Sequence, residues 1–185
     1  MLEIARRSFC KNIAFVPEAA GIVFGGGFWR STSLVRRKAA QLAIFHVQRQ
    51  LERVVFEEGE AAFALCDRGT IDGLAYWPEP EQDAASFFRE IGTTRAAELA
   101  RYHGVIHLKT PDLGHGYNQQ NPLRLESAAE AQALDARILA AWAGHPNRVV
   151  IESRGDFLLK ATEAIQAIKA NLPDCCREHP VLFGP

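Results

Sequence analysis

The stretch Ala61-Ala62-Phe63-Ala64-Leu65-Cys66-Asp67-Arg68-Gly69 decides the fold. Its apolar residues run without a break and close on an aspartate, an arginine and a glycine. A strand with one wet face alternates apolar and polar residues; a short unbroken apolar run reads instead as a strand covered on both faces. Upstream, Asn12-Ile13-Ala14-Phe15-Val16 repeats the pattern and is stopped by Pro17. Downstream, residues 104–109 and Arg148-Val149-Val150-Ile151-Glu152 repeat it twice more.

Helical patterns fill the intervals. From Leu34 to about Glu57, Ile44, Val47, Leu51 and Val54 recur at helical spacing, with Ser31, Thr32 and Ser33 as candidate caps. Residues 83–102 read as two short helices broken at Gly92. Ser127-Ala128-Ala129-Glu130 fits a capping box, and Ala131, Leu134, Ile138 and Trp142 then share a face before Gly144. A last helix from Asp156 to Leu172 aligns Leu158, Ala161, Ile165 and Ile168 and stops at Pro173. Apolar strands interleaved with helices imply an α/β domain with a parallel sheet. Right-handed crossovers collect the loops that follow the strands on one edge, where such sheets bind ligands. That edge would carry Glu18, Asp67 with Arg68, Thr110 with Asp112, and Ser153 with Arg154.

Composition narrows the classes. The 185 residues suit one domain, 1–185, with an irregular tail at 173–185. Lys and Arg total 21 against 22 Asp and Glu, so bulk charge excludes a strongly basic nucleic-acid binder. No membrane-length apolar run and no signal peptide is visible, and the expectation is a cytoplasmic protein with no membrane partner. Cys10, Cys66, Cys175 and Cys176 form no Cys-x-x-Cys pair. Cys175, Cys176 and His179 lack the second ligand pair that structural zinc requires, and His103 and His107 read as structural histidines. The sole methionine is Met1.

Asp67 is the sharpest chemical signal. A carboxylate at the end of a buried strand resembles the Walker B position, where it holds Mg²⁺ beside nucleotide phosphates. The plain alternative is an aspartate that only closes the turn. Arg68 has the planar fork that binds phosphate bidentately. Glu18, one proline beyond the first strand, suits a general base for a substrate hydroxyl or a second Mg²⁺ contact. It equally suits a helix N-terminus. The 110–126 loop, rich in glycine and asparagine, has the length of a lid and carries Arg124. Gly25-Gly26-Gly27 is not a phosphate loop, because it precedes Phe28-Trp29-Arg30 and reads as a flexible hinge. No Gly-Lys-Ser or Gly-Lys-Thr occurs anywhere in the chain.

Three segments taken together carry a resemblance: Val16-Pro17-Glu18-Ala19-Ala20, Asp67-Arg68-Gly69 with Asp72-Gly73-Leu74-Ala75-Tyr76-Trp77, and Asn121-Pro122-Leu123-Arg124-Leu125-Glu126. In their order and spacing they resemble a family of AAA-type P-loop ATP/GTP-binding proteins, similar to the ribosylnicotinamide kinase domain. The resemblance implies a three-layer parallel sheet of P-loop kinase type. Its central first strand and G-x-x-x-x-G-K-[ST] loop would stand upstream of Met1, and Leu2–Phe9 would be the later part of the following helix. It implies Mg²⁺ with ATP or GTP, and a small-molecule acceptor. Asp67 takes the place of the metal-holding acid, Glu18 of the substrate-side carboxylate and Arg124 of the lid arginine. Arg154 falls in the base-contacting loop after the fourth strand. Without its phosphate loop such a chain is expected to bind nucleotide poorly, and its open sheet edges invite oligomerisation. Set beside phosphoryl transfer or NTP hydrolysis is a module that binds a partner or phosphorylated ligand without turnover. A generic flavodoxin-like site fares worst, since no strand is followed by a glycine-rich phosphate loop.

Overall fold

A computed structural model describes residues 2–9, 12–78, 84–111, 128–153 and 156–177. The chain divides into two compact units, Met1–Arg101 with Leu172–Pro185, and Tyr102–Asn171.

In the first unit the order is α1 (Leu2–Ser8), β1 (Ile13–Val16), α2 (Ala19–Gly25), α3 (Leu34–Glu58) and β2 (Phe63–Cys66). A single 3-10 turn (Thr70–Asp72) then leads into α4 (Gly73–Tyr76), α5 (Ala84–Glu90) and α6 (Arg95–Leu99). The second unit holds β3 (Val105–Leu108), α7 (Ala128–Ala141), β4 (Arg148–Ile151) and α8 (Phe157–Asn171). The chain then returns to the first unit through α9 (Asp174–Arg177), a helical turn within the tail expected to be irregular.

Local chemistry explains most boundaries. Gly59 closes α3 in the left-handed region at φ 65°, and its N–H returns to Val55 O. The glycines after α2 form a closed cap rather than a hinge. Gly27 takes φ 92°, its N–H reaches Phe24 O, and Phe28 N–H reaches Val23 O at 3.2 Å. That pair of bonds is the Schellman arrangement, which satisfies the last carbonyls of the helix. Asp156 caps α8, its Oδ1 accepting the Leu158 N–H at 2.7 Å and the Leu159 N–H at 3.3 Å.

The strands pair in parallel, β1 with β2 in the first unit and β3 with β4 in the second. A mixed α/β fold with parallel strands is therefore present. The expected three-layer sheet is not: among the described residues each sheet has two strands. Nor are the strands covered throughout, since Ala64 is exposed and Val149 and Val150 remain more than a third exposed. An unbroken apolar run reports a strand; it does not report how many strands or layers cover it.

The core of the first unit centres on Ile71, Trp77 and Phe87, all fully buried. Trp77 meets Phe87 edge-on at 5.3 Å, and Phe87 meets Phe88 in the same way. Gly73 lets the elements approach closely here: a Cβ would lie 3.2 Å from the Phe87 ring and 3.3 Å from Gln41 Oε1, so those side chains would have to shift. In the second unit Leu134, Ile138 and Trp142 of the α7 segment are buried, as are Ile151, Ala161, Ala164, Ile165 and Ile168, while α8 packs on both strands. Asn147 ties its ends together, its Nδ2 donating to His103 O at 3.0 Å and Asn171 Oδ1 at 2.6 Å. The His145 ring donates from Nε2 to Tyr102 O and accepts the Asn147 N–H at Nδ1. Among the described residues no helix is long and apolar enough to cross a membrane.

Candidate functional site

The register of β1 and β2 builds one edge of the first unit. Val16 stands opposite Cys66, and the Asp67 N–H donates to Val16 O at 3.0 Å. Because the strands are parallel, both chains leave at the same end, and Pro17-Glu18 and Asp67-Arg68 emerge side by side. Glu18, Asp67 and Arg68 are all exposed there.

Arg68 is the centre of this edge. Its Nε lies 3.9 Å from Glu18 Oε1, and its outer nitrogen lies 3.5 Å from Asp72 Oδ2. Asp72 was absent from the sequence candidates as a site residue. It arrives because the chain turns at once after Gly69: the Asp72 N–H donates to Gly69 O at 3.2 Å, and the turn places Asp72 one helical step from Arg68. Its carboxylate forms no cap bond on α4, although Asp72 is the residue that precedes that helix. Burial pulls the Arg68 guanidinium down, but Asp72, Tyr76, Glu18 and Asp67 outweigh it and hold the group above the ordinary arginine value.

A buried ionic cluster fixes the turn that follows Arg68. Glu98, 1% exposed, accepts from Thr70 Oγ1 at 2.8 Å and from Arg49 at 3.0 Å. Arg101 reaches the same carboxylate at 3.5 Å and Glu52 at 2.6 Å, and Gln48 donates to Glu52 at 2.9 Å. One buried acid thus joins α3, the 3-10 turn and α6. The Cys66 thiol beside this cluster is pushed up to about 12, by burial first and then by Glu52, against the pull of Arg101. Those surroundings favour the protonated thiol of Cys66, the less reactive form.

The corresponding edge of the second unit, after β3 and β4, is also organised. Asp135 Oδ1 accepts from the Thr110 N–H at 3.1 Å and the Thr110 hydroxyl at 3.2 Å, with His107 Nε2 at 3.3 Å. Burial raises the Asp135 carboxyl, yet these partners prevail and hold it below its ordinary value. Lys160 donates to the Lys109 carbonyl, and Lys109 Nζ lies 3.3 Å from Glu152. Burial pulls the Lys160 ammonium down, opposed by Asp135 and Glu152.

The structure thus gathers Glu18, Asp67 and Arg68, and it anchors Thr110. Ser153 stands two residues beyond the end of β4. Asp112, Arg124 and Arg154 lie outside the described residues. Sequence reasoning missed Asp72, Glu98, Asp135 and Lys160. Asp135 left a readable trace, since it falls on the same helical stripe as Ala131 and Ile138 and so places a charge on an apolar face. Among the described residues no three His, Cys, Asp or Glu side chains are placed to hold a metal between them.

A family model described as an AAA domain matches residues 2–158, most of the chain. No curated protein and no solved structure matches it.

Proposed function

From the premise that the chain belongs to this AAA-domain family, we propose a nucleotide-binding P-loop protein of phosphoryl-transfer or NTP-hydrolysing type. The observation that carries the reading is the convergence of Glu18, Asp67 and Arg68 on one edge of the β1–β2 pair. A P-loop protein keeps its phosphate and metal contacts at that end of its strands.

Each residue has a distinct part. Asp67 is a single exposed carboxylate, which suits Mg²⁺: that ion keeps most of its waters and takes one or two carboxylates beside substrate phosphates. When bound, the ion would neutralise charge on the phosphate oxygens. Arg68, held on the edge by Asp72 and Glu18, offers its guanidinium to phosphate. Glu18 takes the acceptor side, positioned to orient a hydroxyl or a water and to receive its proton. Arg124 and Arg154 complete the reading as lid and base-side arginines. The acceptor is a small molecule or water.

The 185 residues contain no G-x-x-x-x-G-K-[ST], so the backbone cradle that supplies much of the nucleotide affinity of such proteins is not among them. Weak binding of ATP and GTP by this polypeptide follows. The same absence favours the second reading, a module that binds a phosphorylated ligand without turnover. Calorimetric titration of the chain with Mg·ATP and Mg·GTP tests both readings. Weak binding that loses its Mg²⁺ dependence in Asp67→Asn, with the fold retained by circular dichroism, supports the assignment. Tight Mg²⁺-dependent binding would refute the proposed impairment, and binding indifferent to Asp67→Asn would move the metal elsewhere. Reading the coding DNA in frame upstream of the Met1 codon for a phosphate-loop motif separates the enzyme from the binding module.

A further inference from the structure

Residues 19–51 contain no Asp and no Glu, so every charged side chain of that stretch is a cation: Arg30, Arg36, Arg37, Lys38 and Arg49. The whole chain is balanced at −1, and this excess of one sign is local. Within the stretch, the connection from α2 to α3 forms a tip. Of residues 25–37, all but Phe28 and Ser31 are exposed. Trp29 is 59% exposed, Leu34 48% and Val35 77%, whereas Trp77 and Trp142 are buried.

The tip is built rather than ragged. Arg30 lies over the Phe24 ring at 4.2 Å and Arg36 over the Trp29 ring at 5.4 Å, with Trp29 against Phe28 at 5.5 Å. The N–H groups of Gly27 and Phe28 close back on α2, and the Ser33 N–H donates to Ser31 Oγ at 3.2 Å. Both guanidiniums therefore stand beside apolar surface. Among the described residues neither Arg30 nor Arg36 pairs with a carboxylate. Arg37 leans back instead, reaching the Tyr76 carbonyl at 3.5 Å.

Charge and shape together choose the occupant. A surface with cations and no acid is complementary to an anionic one. At 3.6 residues per turn, the first turn of α3 points residues 34–37 to four sides of its axis, and all four are exposed. One face of a protein partner meets one side of such a turn, but a bilayer surrounds it. Tryptophan suits the headgroup level of a bilayer, aliphatic side chains suit the acyl boundary beneath it, and arginine keeps its charged head at the phosphates.

We propose that the α2–α3 tip docks on membranes that carry anionic phospholipids, with Trp29, Leu34 and Val35 entering the interface and Arg30 and Arg36 meeting lipid phosphates. The contact is peripheral and needs no spanning helix. The lack of a membrane-length apolar run, from which no membrane partner was expected, therefore does not bear on it. So few cations with so small an apolar tip give weak, reversible binding that depends on the anionic lipid.

The probes are vesicles of phosphatidylcholine alone and of equal parts phosphatidylcholine and phosphatidylserine, mixed with the full chain at low salt. The protein is expected to sediment with the mixed vesicles only and to leave them as salt rises. Tryptophan emission is expected to shift to the blue through Trp29, the exposed indole, and Trp29→Ala is expected to abolish that shift. Arg30→Glu with Arg36→Glu is expected to weaken binding about tenfold or more. Arg30→Lys with Arg36→Lys is expected to keep most of it, because a bilayer reads charge rather than the planar fork. Failure of the unaltered chain to bind the mixed vesicles at low salt overturns the proposal. Equal binding to both kinds of vesicle overturns it, as does binding that the double glutamate variant leaves unchanged. Polyglutamate that binds the tip where vesicles do not would assign the surface to an acidic protein and overturn it too.

Discussion

Arg68 and Glu98 stand close in the fold and belong to opposite energetic regimes. Arg68 faces Glu18 and Asp72 at 3.9 and 3.5 Å, with its own side chain 43% exposed, so water screens what these contacts contribute. Glu98 is 1% exposed and holds Thr70 and Arg49 at ordinary hydrogen-bond distances. Removing Glu98 takes away a buried acceptor shared by Thr70 and Arg49, a cost of about 1–3 kcal/mol, while Arg49, itself 38% exposed, stays hydrated. Glu98→Ala is therefore expected to lower stability in urea unfolding by about 1–3 kcal/mol, whereas Glu18→Gln, which removes a contact between two exposed groups, costs under about 1 kcal/mol. Equal losses from the two variants would contradict this division. The same contrast explains what the sequence made legible. Glu18, Asp67 and Arg68 follow apolar runs at strand ends, and their placement needs only the parallel pairing. Asp72 needs the turn after Gly69, a feature of a few residues with no periodicity to announce it.

Among the elements, those long enough to show a period were readable. Helix α3 was expected over 34–57 and runs Leu34–Glu58, and the break at Gly92 falls between α5 and α6. The 3-10 turn and α4 together span Thr70–Tyr76 and went unread, because so short a run completes barely two turns. The glycine triplet was misread for a different reason: a glycine string looks flexible until its hydrogen bonds show which carbonyls it closes. Asp135 gives the element scale its prediction, since it joins α7 to the residues that leave β3. Its folded carboxyl sits below its ordinary value. The stability it supplies is thus fully present above the unfolded aspartate range, about pH 4, and drains away as pH falls through the folded value. Asp135→Asn is expected to flatten the acid limb of a stability-against-pH curve measured by urea unfolding. An unchanged acid limb would show that the contact contributes nothing to pH dependence.

At the scale of the whole molecule, charge balance and sheet edges act together. Among the described residues β2 has one strand partner and β3 has one, and an edge without a partner is a template for association. The net charge of −1 leaves little long-range repulsion to oppose it. Turbidity of concentrated solutions is expected to peak near the sequence pI of about 6.6 and to fall on either side. A flat profile would mean that the edges are shielded. All four strands were legible, but their grouping into two pairs was the least legible feature of all, because an apolar run reports that a strand is covered and not which neighbours cover it.

Asn147 has a consequence for how the protein ages. Its side-chain nitrogen donates to two oxygens at once, the His103 carbonyl and the Asn171 amide oxygen. Spontaneous loss of ammonia from an asparagine leaves a carboxylate, an acceptor in place of a donor. At this position the new oxygen would face two others with no proton between them, and the crossing point of the second unit would be pushed apart. While the unit stays folded, the same two bonds hold the amide still and slow that reaction. The lifetime of the fold and the chemical lifetime of one amide are therefore tied together.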